Sequence, residues 1–422
     1  MREEARRAFA EMGEDYEAMM EKASKEGMGP PKFSAAAHLD MLREVGVDDV
    51  EAHRADLERQ EQGLREMYQR SGHLQPTATA MDPEASERIR VLMQLALDTG
   101  ESLANRDFTG ANLAGMRLAG LDLSGSFLEA ADLSGCNLTS ANLDGAVLAK
   151  ANLCGADLTG ARLRGANLGG ANLGGAVLER ADLTDAVLSR ADLAGARFTG
   201  ATLTGADWME TKLGAVDLSG AVLGQSNFIK ADLRGARFAG ADLADANLIE
   251  CSLDGADFSS ARLEKTTFVT CNGEGASFRG SRLRHGIMVH GSSFARADFR
   301  DADMEKANLR GTLLEGARFD RANLAGADLS ECNATGATFE RVVLKGALMI
   351  RTNLGDVSLQ GANLMDVLAS KALVTGADFT GANLYRADLS RVVGDERTTF
   401  AEAEVGHVRF LPKADVPNVG DA

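Results

Sequence analysis

Histidine, cysteine and carboxylate side chains are the residues of this chain that could do chemistry, and their spacing decides whether they do. None of the six histidines lies in an HExxH or comparable metal-binding spacing. They are His38, His53, His73, His285, His290 and His407. The chain also has no GxxxxGK(S/T) phosphate loop and no GxSxG nucleophile motif. The sequence therefore predicts a protein that is not an enzyme and has no catalytic residues, metal or cofactor.

A five-residue repeat of the form A-(D/N)-L-x-G positions most of the carboxylates. It runs from Leu103 to Leu389, as in residues 131–135 and 141–145. Residues two apart share a face of an extended chain, so the alanine and the leucine point inward and the Asp or Asn points outward. The next two residues turn a corner, where glycine tolerates the required backbone angles. Each repeat is therefore one side and one corner of a coil, and such repetition predicts a solenoid.

The aromatic residues indicate how many sides each coil has. From Leu103 to Met288, the aromatics at the bulky inward position fall into two columns, ten residues apart, and within each column they are separated by multiples of twenty; Phe294, further along, lies outside both columns. One column contains Phe108, Trp208, Phe228 and Phe268. The other contains Phe198, Phe238, Phe258 and Phe278 and continues, once one inserted residue is counted, through Phe299, Phe319, Phe339 and Phe379. A four-sided coil of twenty residues explains both columns, and the 58 bulky positions predict about 14 coils.

The repeat is irregular near residue 290. Its phase slips by one residue between Met288 and Phe294, which predicts a one-residue bulge within residues 289–293. Gly273 occupies a bulky position and is expected to leave the core short of a side chain. Bulges often redirect side chains, so the region is either a structural irregularity or a partner-contact patch. The candidate contact residues are Arg279, Arg282, Arg284, His285 and His290.

Cysteines occur within the repeat but have no metal-binding spacing. Cys136, Cys251, Cys271 and Cys332 take the small inward position that alanine usually fills, and Cys154 lies at a corner. One hypothesis is a ladder of thiols that binds a metal or senses redox state. The other is a set of small core residues in a reducing compartment. The second is favoured because no CxxC or Cys/His spacing accompanies them.

The chain divides into three predicted segments. Residues 1–100 lack the repeat and are predicted to be α-helical, residues 101–393 form the solenoid, and residues 394–422 form a C-terminal cap and tail. The last helix, at residues 82–99, is expected to cap the first coil, because an open coil end exposes unpaired backbone groups.

Within the first segment, residues 3–25 have helical composition. Ser34 is expected to cap a short helix reaching Val45, and Asp48 or Asp49 a longer one reaching Arg70. The pair Asp82-Pro83 is typical of a helix start, and Gly100 of a helix end.

The charge and hydropathy of the chain restrict its partners. The net charge is −17, of which residues 1–100 contribute −8 and residues 101–422 contribute −9. This sign disfavours direct binding to nucleic acid. No stretch approaches the ~20 apolar residues needed to span a bilayer, and the polar start Met1-Arg2-Glu3-Glu4 does not resemble a secretory signal. A cytoplasmic protein without a membrane segment is predicted.

The repeat resembles that of the bacterial pentapeptide-repeat family over about 290 of 422 residues. The resemblance implies a right-handed quadrilateral β-helix. Handedness is implied by the resemblance alone, whereas the four sides are also indicated by the aromatic columns. The predicted fold class is thus an all-β solenoid, a right-handed quadrilateral β-helix of about 14 coils, with a smaller α-helical N-terminal segment.

Two functions are compatible with this fold. The flanks of the repeat resemble pentapeptide-repeat proteins of type VI secretion gene clusters; they are residues 100–103, 106–110, 381–389 and 394–398. That resemblance implies a scaffold or adaptor whose partners are secretion-spike or effector components. Other family members mimic DNA and bind DNA gyrase or topoisomerase IV, conferring quinolone resistance, which is the alternative.

Charge distinguishes the two functions. About 14 coils at ~4.8 Å make a rod of roughly 70 Å. Duplex DNA of that length would carry about 40 negative charges, against −9 for residues 101–422. A mimic requires a continuous acidic stripe, whereas an adaptor is expected to show mixed charge and a local apolar or irregular patch. The low negative charge of residues 101–422 therefore favours the adaptor.

Overall fold

The computed structural model describes residues 30, 33–45, 49–289 and 291–411. It contains two compact units. The N-terminal unit comprises Met1–Val177 and Ala181–Asp192, and the C-terminal unit comprises Leu178–Arg180 and Leu193–Ala422. The predicted helix at residues 3–25, the tail from residue 412 onward and His290 lie outside the described residues.

Among the described residues, three α-helices precede the repeats, in agreement with a helical N-terminal segment. They are α1 (Ala35–Glu44), α2 (Glu51–Ser71) and α3 (Pro83–Thr99), and a 3₁₀ turn, Gly72–Leu74, follows α2. No helix among the described residues is long and apolar enough to cross a membrane.

Two of the three helix starts have the predicted side-chain cap. Ser34 accepts a hydrogen bond from the Ala37 N–H at the start of α1, and Asp82 accepts one from the Ala85 N–H at the start of α3. These bonds satisfy N–H groups that have no partner within the helix. The start of α2 differs from the prediction, because its N-cap position is Val50, which makes no side-chain hydrogen bond.

Parallel pairing between residues twenty apart builds the coils. Phe127 pairs with Asp107 in the preceding coil and with Val147 in the following one. The Phe127 N–H donates to the Arg106 carbonyl at 2.9 Å, and the Leu128 N–H donates to the Val147 carbonyl at 2.7 Å. Successive backbone groups thus bond alternately to the coil before and the coil after. The handedness of the coils and their total number stay predictions.

The corner residues explain the preference for Asp and Asn at the outward position. Gly135 takes a left-handed backbone angle (φ 60°), and the Asp132 carboxylate accepts the Ser134 N–H at 3.0 Å across the turn. An Asx turn of this kind fixes the corner locally. Most of the outward carboxylates therefore stabilise turns, which is a structural rather than a catalytic role.

α3 and Met81, which lies just before it, make hydrogen bonds to residues of the first coil. The Met81 N–H donates to the Gly110 carbonyl at 2.8 Å, and the Asn112 N–H donates to the Ser86 hydroxyl at 3.2 Å. The Arg90 guanidinium donates to the carbonyl of Ala114. Some backbone groups that lack a preceding coil are thereby satisfied, and we retain the capping role of this helix as a proposal.

Stacked phenylalanines fill the core of the C-terminal unit. The rings of Phe238, Phe258, Phe278 and Phe299 stack with centroids 4.7–5.0 Å apart and planes within 7°. These distances match the spacing of neighbouring parallel strands. All of the predicted column residues are buried; they are Phe108, Phe198, Trp208, Phe228, Phe238, Phe258, Phe268, Phe278, Phe299, Phe319, Phe339 and Phe379.

One side of four successive coils forms a regular parallel sheet. Its strands are β1 (Asn227–Ile229), β2 (Asn247–Ile249), β3 (Thr267–Val269) and β4 (Ile287–Val289), in that spatial order. Each strand pairs in register with the next, residue for residue, at a separation of twenty.

The pairing offset changes after β4, and the core remains filled there. Asn272 pairs with Ser293, 21 residues later, whereas Ser293 pairs with Leu313, twenty later. This offset places Phe294 over Gly273, where a β-carbon would lie 2.7 Å from the Phe294 ring. The expectation that Gly273 leaves the core short of a side chain is wrong, because that ring occupies the space.

Pairing also continues beyond the predicted solenoid boundary at residue 393. The Phe400 ring stacks on Phe379 at 4.7 Å. The late pairs are Asp378 with Thr399, Asn383 with Glu404, and Asp388 with Arg409. These partners are 21 residues apart, whereas Leu373 and Val393 are twenty apart. One extra residue is therefore inserted between 393 and 399. Because the insertion shifts the phase of the repeat, the last paired residues do not follow the five-residue pattern in the sequence.

Candidate interaction surfaces

The predicted basic patch is spread over two corners and the side between them. Arg279 lies 3.7 Å from Asp301, and Arg284 lies 2.6 Å from Asp303. Arg282 and His285 are exposed, and His290 lies outside the described residues. The structure therefore does not gather these residues into one cluster, but it places Arg284 and His285 at the corner that leads into β4.

Acidic and basic side chains alternate on the outer surface of the C-terminal unit. Several arginines form ion pairs with carboxylates twenty residues earlier, in the preceding coil. They include Arg237 with Asp217, Arg262 with Asp242, Arg321 with Asp301 and Arg386 with Asp366. Exposed pairs of this kind stabilise a fold only slightly. They do, however, interrupt any continuous acidic stripe.

The titratable side chains of the described residues offer no metal site. No group of three or more His, Cys, Asp or Glu residues there could hold a metal ion. The five cysteines are free thiols, and only Cys154 is exposed. Hydrogen bonds from the hydroxyl and N–H of Thr380 lower the pKa of Asp378, as expected for a carboxylate that fixes a turn.

An apolar stripe runs along the β1–β4 side of the C-terminal unit. It consists of Met209, Ile229, Ile249, Val269 and Val289, each directly after a buried bulky residue. Small or polar residues usually hold this position. β-Branched side chains favour extended chain, which explains why regular strands form here. Met209 is 39% exposed and the other four are partly exposed, so the stripe is open to solvent.

Apart from Asp207 beside Met209, the side that carries the stripe has no charged residue at its outward positions. Asn227, Asn247 and Thr267 hold the outward positions beside it, and Ile287 is 36% exposed at the next one. Charged residues stand at the corners and pair across coils. These pairs are Lys230 with Glu250 at 3.7 Å and Lys265 with Asp245 at 4.0 Å.

In the N-terminal unit a comparable side is covered by α2. Phe127 and Val147 are buried although both occupy outward positions. The Tyr68 ring meets the Phe127 ring edge-on at 5.8 Å, and these residues form one apolar cluster with Val147 and Ala149. The Arg65 guanidinium lies 5.2 Å from the centre of the Phe127 ring. We call this side, from Phe127 to Gly169, the covered face.

Polar contacts position the end of α2 and the turn that follows it. The Asn167 side-chain amide donates to the Gln69 carbonyl at 2.7 Å. A β-carbon on Gly169 would lie 2.4 Å from the His73 β-carbon, so only glycine allows this close approach. The Lys150 ammonium donates to the Gln75 carbonyl. The helix is thus held at the covered face by both apolar and hydrogen-bonded contacts.

A buried carboxylate lies beneath α2. Glu129 is fully buried and accepts a hydrogen bond from the Tyr68 hydroxyl, while its Oε1 atom has no hydrogen-bond partner of good geometry among the described residues. Burial raises the pKa of Glu129. Smaller opposing effects come from the Tyr68 hydroxyl, the Lys150 charge and the Ala78 N–H, and the nearby Asp107 adds to the rise. Burial and this hydrogen bond also raise the pKa of Tyr68.

Family models match most of the repeat region. The model described as pentapeptide repeats matches residues 102–135, 131–175, 171–207, 217–255, 327–364 and 358–393. The model described as a pentapeptide repeat region matches residues 241–329. The chain belongs to the pentapeptide-repeat family. Members of this family are generally structural or interaction proteins rather than enzymes, which agrees with the absence of catalytic motifs.

Several solved pentapeptide-repeat structures are similar to this chain. HetL, involved in heterocyst differentiation regulation in the cyanobacterium Nostoc sp. strain PCC 7120, is 22% identical over 61% of this chain and 89% of its own, with a TM-score of 0.20. QnrB1, a plasmid-mediated fluoroquinolone resistance protein, is 19% identical over 44% of this chain and 89% of its own, with a TM-score of 0.24. No curated protein matches the sequence. At these TM-scores the similarities carry no argument about function.

Two surfaces of this pentapeptide-repeat protein escaped the sequence prediction. The signal for the covered face is an apolar residue at the outward position in neighbouring coils, at Phe127 and again at Val147. The signal for the apolar stripe is a β-branched residue after the bulky one at Ile229, Ile249 and Val269. Both signals are visible only when the sequence is aligned in steps of twenty, because single apolar substitutions in a repeat look like ordinary variation.

We expect Glu129→Gln to stabilise the N-terminal unit near pH 7. Because the folded protein binds the Glu129 proton more tightly than the unfolded chain, wild-type stability is greatest below the ordinary glutamate pKa of 4.5 and falls as pH rises through the raised pKa. Glutamine can still accept the Tyr68 hydrogen bond but carries no charge. Thermal melting of both proteins from pH 4 to 8 should give curves that diverge as pH rises.

The exposed substitution Glu101→Gln provides the control and should leave the pH profile of thermal melting unchanged. A Glu129→Gln variant that melts below the wild type at every pH would show that the charged carboxylate stabilises the interface, contrary to this prediction.

Proposed function

We propose that this protein is a non-enzymatic scaffold that binds other proteins through the apolar stripe. The stripe is the single observation that supports this function most. Soluble proteins tend not to leave contiguous apolar surface open without an interaction purpose. Here four of the five apolar residues lie on a regular four-stranded sheet with little charge, between corners whose charges pair with each other.

The mixed surface charge favours the scaffold over the DNA mimic. In the C-terminal unit, outward carboxylates such as Asp217, Asp242 and Asp301 form ion pairs with arginines of the next coil. A mimic of duplex DNA requires closely spaced and uncompensated negative charge. Binding to gyrase or topoisomerase IV therefore remains only the alternative outcome of the experiment below.

The finer proposal is that the scaffold is a cytoplasmic adaptor that helps to load an effector in type VI secretion. It is supported by the resemblance of the repeat flanks at residues 100–110 and 381–398 to proteins of such gene clusters. In this proposal the partners are spike or effector components, and the region of Arg284 and His285 lies beside the binding stripe at the corner before β4.

Affinity purification of the tagged protein from its native host, followed by mass spectrometry, tests the proposed function. The wild type should recover a defined partner, and Ile249→Lys should recover at least tenfold less of it. Val222→Lys is the matched control, because Val222 is an exposed apolar residue on a different side of the coil. Equal loss in both variants, or no partner with the wild type, would contradict the scaffold function. Recovery of type II topoisomerase subunits would favour the mimic.

A further inference from the structure

We propose that the apolar stripe binds an amphipathic α-helix of the partner, lying along the direction in which the coils stack. This inference rests on the proposed scaffold function and specifies the structural class of the ligand. The relevant surface comprises Met209, Ile229, Ile249, Val269 and Val289.

The dimensions of the stripe favour a slender ligand over a second copy of this chain. Three extended residues make a side roughly 10 Å wide, and five coils at ~4.8 Å make it roughly 20 Å long. The resulting area of roughly 200 Å² is far below the ~800 Å² per partner that stable protein dimers bury. An α-helix with its side chains is about 10–12 Å in diameter, which matches the width of one side.

The rise of a helix also matches the spacing of the coils. Two coil steps cover about 9.6 Å at ~4.8 Å each. Seven residues of α-helix, or two turns, rise about 10.5 Å. A helix along the stacking direction therefore presents about one turn to each coil, and an apolar residue at every third or fourth position would meet each member of the stripe in succession.

The covered face of the N-terminal unit shows that a helix can bind a side of these coils in this way. From Arg65 in α2 to Gly72, directly after the helix, the chain advances by seven residues and crosses two coil steps. This agrees with the helical rise of about 10.5 Å per seven residues. The Arg65 guanidinium donates to the Asn105 side chain at 3.3 Å. The ring centres of Tyr68 and Phe127 are 5.8 Å apart. Gly72 packs on Val147 so closely that a β-carbon on Gly72 would lie 3.2 Å from the Val147 side chain.

The apolar stripe is more favourable for such a helix than the covered face. The covered face contains the buried carboxylate Glu129, whereas the stripe is built from aliphatic side chains. Its charged rim is neutralised within the chain, because Lys230 pairs with Glu250 and Lys265 pairs with Asp245. The complementary ligand is a helix with Leu, Ile, Val or Met on one side and charges of both signs along its flanks.

Site-specific photocrosslinking in the full-length protein tests this geometry. Benzoylphenylalanine is placed at position 229, 249 or 269 in cells of the native host, and mass spectrometry locates the attachment point on the partner. A helix rises 1.5 Å per residue, so the attachment point should advance by about three residues per coil. An extended segment rises ~3.3 Å per residue and would advance by only one or two.

The expected result is a single partner segment, with attachment points that advance by three to four residues from 229 to 249 to 269. An advance of one or two residues would overturn the helix while leaving the scaffold function intact. Attachment to a second copy of this chain would overturn the helix and also the binding of other proteins through the stripe. Attachment at a control position, Val222, but at none of the three, would overturn the stripe as the site. Absence of attachment at all four positions would count against the scaffold function as well.

Discussion

Replacing Phe278 with Asp should lower the free energy of unfolding of the C-terminal unit by about 4 kcal/mol or more. The Phe278 ring is fully buried and contacts four other rings: it stacks on Phe258 and Phe299 and meets Phe268 and Phe294 edge-on. The substitution removes these contacts and buries a carboxyl group without a polar partner. Since each coil is stabilised mainly by its neighbours, the loss should spread to adjacent coils.

Denaturant or thermal unfolding monitored by circular dichroism measures this effect, and Val222→Asp is the matched control. Val222 holds an outward position and is 39% exposed, and Asp commonly occupies such positions in this repeat. Its substitution should change stability by no more than about 0.5 kcal/mol. Similar losses from both substitutions would contradict the assignment of the phenylalanine column to the core.

Deleting residues 1–100 should convert the protein into an associating species. The deletion removes α2 and exposes Phe127 and Val147, which are buried in the intact protein. It also removes the Met81 and Ser86 groups that bond to the edge of the first coil. Exposed apolar surface and unpaired strand groups both promote association between chains. Light scattering coupled to size-exclusion chromatography should detect the oligomers.

Deleting residues 1–79 separates the two causes. This shorter deletion removes α2 but retains α3 and Met81, so the covered face is exposed while the edge of the first coil stays bonded. We expect weaker association than for the longer deletion. If the protein lacking residues 1–100 were monodisperse and monomeric, both the capping role of α3 and the protective role of α2 would be refuted.

The repeat made the coils predictable because each inward and outward position recurs many times. The twenty-residue pairing and the burial of the aromatic columns follow from a pattern that tolerates little ambiguity, as Phe238, Phe258 and Phe278 illustrate. The filling of the space at Gly273 was not predicted. It depends on an offset of 21 residues that brings Phe294 above it, and periodicity alone does not show how an inserted residue is absorbed.

The surfaces were less predictable than the core for a physical reason. An outward side chain is free to vary unless something covers it, so one apolar residue such as Phe127 carries little information by itself. The docking of α2 depends on contacts between residues as far apart as Gln69 and Asn167, 98 positions along the chain. The basic patch was chosen from local composition, and such composition does not distinguish a cluster from residues spread over separate corners.

The position of α2 in the chain also affects the order of events during synthesis. The helix precedes the residues it contacts by 40 positions at Asn105 and by 98 at Asn167. At about 5–20 residues per second, the ribosome finishes the helix roughly 2–20 seconds before these coils emerge. Each coil of the covered face therefore meets a cover that already exists on the same nascent chain. Its apolar side chains are protected from neighbouring chains on a polysome before the solenoid is complete.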